Sequence, residues 1–258
     1  MSRKLTMKVK DGERLDTLVR DGMKLIQRED QFRFSLDTVL LANFGSVPHS
    51  PVLDLGTGTG AIPLILTARG VRAVTALELN PIMADIAARN VILNHKEESI
   101  RIKHGDYRQP GKWLKSGSFA AVYANPPYRE KQRGAYSTVP GIRRARHEET
   151  ATLAEVLAAA SFALKYGGYF RMVHIVERLA DIFAVMRYYK IEPKRLLCIH
   201  GRLHKQGKIC IIEGIRGGNP GLEVLPPLVV HNQDGSYSKT VLQYYGVAET
   251  RHGDGGNL

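Results

Sequence analysis

The chain has 258 residues, of which 43% are hydrophobic, and it carries a formal net charge of +12. That fits one domain with a real core, and the strong positive balance points to a polyanionic partner, nucleic acid first. No apolar run approaches the roughly 20 residues that span a bilayer, and the basic start, "MSRKLTMKVKDGERLD", lacks the apolar segment of a secretory signal. The only two cysteines, Cys198 and Cys210, exclude a disulfide framework and a four-cysteine zinc site. Both lie in apolar segments and read as buried reduced thiols, which implies a cytoplasmic protein. The nine histidines show no ligand spacing, so no metal is expected.

Residues 1–46 precede the first core strand and are expected to pack on the main domain, with "FRFSLDTVLLANF" as a helix on the sheet edge. From there, short apolar runs alternate with helical patterns. "SPVLDLG" reads as a buried strand and "AIPLILTARG" as a helix closed by Gly70. "AVTALEL" is the next strand. Asn80 and Pro81 then have the residue types of an N-cap and first helical position, and that helix runs through "IMADIAARNVILN". "SIRIKHGD" and "FAAVYAN" follow as strands. Thr152 and Glu155 have the spacing of a capping box, opening a helix with Leu153, Leu157, Ala160 and Leu164 on one face and Gly167-Gly168 at its end. "YFRMVHI" is a fifth strand. "RLADIFAVMRYY" has helical spacing, and "RLLCIH" and "KICIIEGIR" are two final strands joined by a turn. Strands alternating with helices mean crossover units and a largely parallel sheet, with an antiparallel edge strand from the last pair. The main domain is expected over 47–246, with 247–258 a flexible tail.

"VLDLGTGTGAIPL" places Gly56, Gly58 and Gly60 between the first strand and the first helix. Glycines there permit a sharp turn and close approach of a ligand to the backbone. Glu78 ends the second strand, 18 residues after Gly60, where an acid can accept hydrogen bonds from ribose hydroxyls. Asp54 leads the loop. An acid so close to the turn repels a pyrophosphate but suits the ammonium of an amino-acid moiety, which favours S-adenosylmethionine over a dinucleotide. Asp106, after the third strand, can accept from the exocyclic amine of an adenine, or can simply be a turn residue.

In "AVYANPPYREKQRGAYSTVPGIRRARHEE" the fourth strand ends on Asn125. Pro126 restricts Asn125 to extended angles, and both prolines fix φ and lack an N–H. The side-chain oxygen of Asn125 and the carbonyl of Pro126 can each accept one hydrogen of a planar amino group, leaving its lone pair aimed at a sulfonium methyl. Tyr128 offers a flat face for stacking a base. Beyond it, Arg129, Lys131, Arg133, Arg143, Arg144 and Arg146 face one acid, Glu130, in a segment broken by glycines and a proline. Arginine suits phosphate contacts, and a loop this long that begins at the reacting residues is expected to grip the polyanion carrying the amine. "GRLHKQGK" can extend the patch.

Together these residues resemble class I S-adenosylmethionine-dependent amino-methyltransferases: "DLGTGTG" matches their cofactor loop and "NPPY" their amino-group motif, in the gamma order. The flanking segments "ERLDTLVRDGMKLIQREDQFRFSLDTVLLANF", "PKRLLCIH" and "LPPLVVHNQDGSYSKTVLQYYG" look like the bacterial tRNA1(Val) (adenine-37-N6)-methyltransferase family, over about residues 12–246. The resemblance implies a Rossmann-like α/β fold whose seven-stranded sheet has helices on both faces. It carries cofactor binding onto Asp54, Gly56, Gly58, Gly60, Glu78 and Asp106, with Phe34 and Asp37 lining the pocket. It carries catalysis onto Asn125, Pro126, Pro127 and Tyr128, and implies tRNA as the partner. Glutamine methylation of a protein and adenine-N6 or guanine-N2 methylation of ribosomal RNA use the same turn and stand as alternatives. An RNA-binding module with a vestigial cofactor fold is the non-enzymatic one, against which the intact Asn125 and Glu78 argue.

Overall fold

The structure, a computed structural model, describes residues 9–18, 20–31, 35–49, 51–127 and 153–246. It opens with an antiparallel hairpin, β1 (Glu13–Thr17) and β2 (Lys24–Arg28), then α1 (Leu36–Asn43). The main unit follows: β3 (Val52–Leu55), α2 (Ala61–Ala68), β4 (Val74–Glu78), α3 (Pro81–Leu93), β5 (Ile100–His104), α4 (Pro110–Trp113) and β6 (Phe119–Ala124). After the undescribed 128–152 come α5 (Leu153–Ala163), β7 (Leu164–Ile175), α6 (Leu179–Tyr188), β8 (Ile191–His200) and β9 (Ile209–Arg216). Two short strands, β10 (Glu223–Val224) and β11 (Leu228–Val229), precede α7 (Lys239–Tyr244).

The sheet order is β5-β4-β3-β6-β7-β9-β8, with β10 and β11 both beside β8. All neighbours are parallel except β9, which is antiparallel to β7 and β8. The expected antiparallel strand is therefore present but interior, not at the edge. Its run Cys210, Ile211 and Ile212 is fully buried, so it needs cover on both faces and a partner on both sides. The sheet also exceeds seven strands, because the chain after β9 adds β10 and β11 in parallel along β8. Cys198 and Cys210 sit opposite each other across the β8–β9 pair as free thiols, and burial pushes Cys210 up to about 12.

Several local expectations take a different form. The α5 helix stops at Ala163, because the carbonyls of Phe162 and Ala163 accept from the N–H groups of Gly117 and Ser118, both at 2.9 Å. Leu164 thus opens β7, and Gly167-Gly168 lie in an irregularity between the Phe119–Leu164 and Ala121–Tyr169 pairs. Gly70, at φ +102°, does follow the end of α2, and Asn80 does cap α3, its Oδ1 accepting from the Ile82 N–H at 2.9 Å. The α1 helix packs against α2 in the core cluster on a face of the sheet, not on its edge, since Val39, Leu40 and Leu41 are all buried there. Thr152 of the capping box and the tail 247–258 lie outside the described residues.

The hairpin was not foreseen. The β2 strand is held by two asparagines of α3 that imitate a neighbouring strand. Asn90 Oδ1 accepts from the Ile26 N–H at 2.6 Å while its Nδ2 donates to the Ile26 carbonyl at 3.0 Å. Asn94 does the same with Lys24, at 2.9 and 2.7 Å. Arg89 on the same helix pairs with Glu13 of β1, and that guanidinium holds the Glu13 carboxyl below its usual range.

Candidate active site

The strand order reverses between β3 and β6, and in open parallel sheets the crevice outside the carboxyl ends at such a reversal is where ligands bind. Leu55 pairs with Ala124, so Gly56 and Asn125 leave the sheet side by side. Gly56, Gly58 and Gly60 have φ of 71°, 58° and 81°, values that favour glycine at all three loop positions. Asn90 reaches this loop too, its Nδ2 donating to the Thr59 carbonyl at 2.9 Å, so one buried side chain locks loop and hairpin together.

Two carboxylates lie under the loop. Glu78 Oε2 accepts from the Gly58 N–H at 2.8 Å and Oε1 from the Asn80 N–H at 2.9 Å. Burial raises its pKa, and those backbone donors oppose the rise. A carboxylate has about four lone-pair sites, so capacity for ribose hydroxyls remains. Asp54 is fully buried, and neither of its oxygens, nor the buried Thr57 hydroxyl, has a hydrogen-bond partner among the described residues. Burial pushes the Asp54 pKa up to about 7; the nearby Thr57 hydroxyl pulls it back, and the Glu78 charge adds to the rise. A buried acid without a partner costs several kcal/mol if charged. The chemistry that relieves it is a cation. The pair therefore fits a cofactor bearing an ammonium and ribose hydroxyls, and disfavours a pyrophosphate.

Asp106 follows β5, beside Glu78, whose carbonyl accepts from the Gly105 N–H at 2.9 Å. Its carboxylate is engaged by Arg108, whose backbone N–H donates at 2.8 Å and whose guanidinium pairs at 2.7 Å, holding its pKa low. Asp106 thus sits at the carboxyl end of β5 with its carboxylate paired to Arg108. Asp37 lies in the first turn of α1, next to Thr38.

Asn125 is half-buried, with Pro126 half-buried and Pro127 exposed after it. Asn125 Nδ2 donates to Thr38 Oγ1 at 3.1 Å. That bond turns the amide nitrogen toward α1. Thr38 was missed by sequence reading: one hydroxyl in an apolar helical pattern carries no signal for a partner 87 positions away. Asn90, a polar residue within an apolar helix face, was the more legible omission. Phe34, Tyr128, Arg129, Lys131, Arg133, Arg143, Arg144 and Arg146 lie outside the described residues. Among the described residues, no group of three or more His, Cys, Asp or Glu is placed to hold a metal ion, and no helix is long and apolar enough to cross a membrane.

The family described as conserved hypothetical protein 95 matches residues 22–145. A tRNA1(Val) (adenine(37)-N6)-methyltransferase from Porphyromonas gingivalis W83 is 30% identical over 220 residues, covering 80% of this chain and 84% of that relative. The chain belongs to this methyltransferase family. A family member from Bacteroides fragilis is 31% identical over 166 residues, 63% of this chain and 68% of its own length. Among solved structures, a protein of Agrobacterium tumefaciens described as a predicted O-methyltransferase superposes with a TM-score of 0.65 at 20% identity, covering 82% of this chain and 96% of that one. Pyrococcus horikoshii TYW2, solved with MeSAdo, gives 0.56 at 15% identity, covering 81% and 73%. These likenesses establish the class I methyltransferase fold.

Proposed function

We propose that the protein transfers a methyl group from S-adenosyl-L-methionine to N6 of an adenine in tRNA, at position 37 beside the anticodon. The observation that carries this reading is the placement of Asn125 at the carboxyl end of β6 beside the glycine loop, its amide nitrogen tied to Thr38. The names of the family members supply the substrate class. Asp54 would meet the cofactor's ammonium, Glu78 its ribose hydroxyls, and the backbone of Gly56, Gly58 and Gly60 would let it approach; Asp106, Phe34 and Asp37 would complete the pocket. The cofactor supplies an electrophilic methyl on a sulfonium, which becomes a neutral thioether. Asn125 Oδ1 and the Pro126 carbonyl accept the two amine hydrogens and aim the nitrogen lone pair at that methyl. Pro127 stiffens the turn and Tyr128 stacks the base. As the C–N bond forms, the amine becomes cationic and its proton passes to solvent. Positioning supplies much of the acceleration, so no strong base is required. Arg129, Lys131, Arg133, Arg143, Arg144 and Arg146 hold tRNA phosphates.

The test is mass spectrometry of nucleosides from bulk tRNA of a deletion strain, with and without the gene restored. Loss and return of N6-methyladenosine supports the reading. Unchanged tRNA with altered glutamine methylation in a protein would replace it.

The buried acid adds a pH signature. Asp54 has an ordinary carboxylate value of 3.8 unfolded and about 7 folded. A raised acid stabilises the fold below the unfolded value, and that contribution is lost as pH rises through about 7. Cofactor binding needs the charged form, so below pH 7 it must expel a proton and should weaken with each step down. Above about 8 the cofactor's amino group itself loses charge. Calorimetry in buffers of different ionisation enthalpy at about pH 6 should show proton release. Asp54→Asn should bind more weakly and release less. An unchanged proton count in the folded variant removes Asp54 from this role, leaving the rise at Glu78 as the remaining source.

A further inference from the structure

The segment after β9 takes no part in the acceptor turn, yet it reaches the same rim of the sheet. The β8 strand runs parallel to β7, β6 and β3, with β9 reversed between it and β7, so its end at His200 lies on the side of Asp54 and Asn125. Leu228 and Val229 pair with Ile199 and His200, and the chain continues past that end as the Val230 and His231 N–H groups donate to the carbonyls of His200 and Gly201, at 2.8 and 3.0 Å. The α7 helix then returns over α1, where Asn43 Nδ2 donates to the Tyr244 carbonyl at 3.3 Å. The Tyr245 phenol is raised by burial, then by Tyr237 and by the charge of Asp37. Thr38, the next residue, bonds Asn125. One continuous path links the acceptor turn to the C-terminal segment.

Three rings stand along it. His231 stacks on Tyr237 with centroids 5.0 Å apart and planes 17° off parallel, and Tyr237 on Tyr245 at 5.9 Å and 27°. Tyr237 remains 40% exposed, so this column is not simply core. The β8–β9 turn carries the exposed Arg202, His204, Lys205 and Lys208, and Arg202 Nη1 ties that turn to the segment by donating to the Gln233 carbonyl at 3.2 Å. Across 201–208 and 228–246 the only acid is Asp234, and it is folded back on Ser236, accepting from its N–H at 2.9 Å and its hydroxyl at 2.7 Å.

We infer that the His231, Tyr237 and Tyr245 column and the 201–208 turn form a docking surface for single-stranded RNA, holding nucleotides that flank the target base. The inference rests on the RNA reading above and adds a surface to it. Charge alone would serve any polyanion. Aromatic rings at a basic rim serve unstacked bases, which a duplex keeps covered.

The test is fluorescence titration of the full chain with a labelled anticodon hairpin at several salt concentrations, with thermal melts of every variant. R202A/K205A/K208A should lower the slope of log affinity against log salt by about 2, at about 0.7 for each single-strand phosphate contact. Tyr237→Leu, which removes the ring that His231 and Tyr245 stack on, should weaken binding roughly 5- to 150-fold at the same slope, while Tyr237→Phe stays near wild type. Cofactor affinity should not change. Folded variants that match wild type in slope and affinity would overturn the surface, and Tyr237→Phe losing as much as Tyr237→Leu would overturn the stacking. A blunt RNA duplex that binds wild type as tightly as the hairpin would overturn the single-strand assignment. Methyl transfer assayed alongside separates the two readings. A wild type that binds the hairpin with the expected variant losses but methylates no adenine loses the activity and keeps the surface. One that methylates adenine while the variants bind normally loses only the surface.

Discussion

Asn125→Ala is expected to lower kcat for methyl transfer by about 10²–10³, the size of effect seen when one preorganised polar group is removed from a reacting centre. The side chain sits at the end of β6, level with Gly56, and its oxygen is the acceptor for one amine hydrogen in the proposed reaction. Without it the lone pair is no longer aimed, although neither the acids beneath the loop nor the RNA surface has changed. Affinity for S-adenosyl-L-methionine and for tRNA should therefore stay close to wild type. Single-turnover rates at saturating substrates, measured beside equilibrium binding, separate the two effects. A near-normal rate would reduce Asn125 to a turn residue.

Thr38→Val should lower kcat about 10- to 100-fold, through misplacement of a group it does not itself supply. Valine has the shape of threonine but accepts nothing from Asn125 Nδ2, so the amide loses the bond that turns its nitrogen toward α1. Thr38→Ser restores the hydroxyl and should recover most of the rate. A fold defect alone would not follow this order, because valine suits the buried apolar surroundings of α1. KM for tRNA should move little. Valine and serine variants that both equal wild type would show that Thr38 only packs.

Much of the site was legible because its chemistry is local in sequence. The loop glycines announce positive φ, Glu78 is placed by strand length, and the Asn80-Pro81 start of α3 needs only its own residues. What escaped depends on partners far along the chain. The β2 strand pairs with β1 and is held at Ile26 and Lys24 by the side chains of Asn90 and Asn94, 64 and 70 positions away, contacts that no local pattern announces. The position of β9 is decided by its pairing with β7 as well as with β8, and the short-turn rule sees only the second of these. The end of α5 is set by donors at 117 and 118, ahead of β6, which made the glycines at 167 and 168 a misleading stop signal. Thr38 and Asn125 meet only because α1 lies on the same face as α2.

The most direct measurement of the central claim is methyl transfer by the purified chain from labelled S-adenosyl-L-methionine to tRNA lacking modification, followed by digestion to nucleosides. Label is expected in N6-methyladenosine, arising from the adenosine at position 37, lost when that adenosine is replaced by guanosine and greatly reduced in Asn125→Ala. Label in N2-methylguanosine, or in the glutamine of an added protein with none in tRNA adenosine, would contradict it.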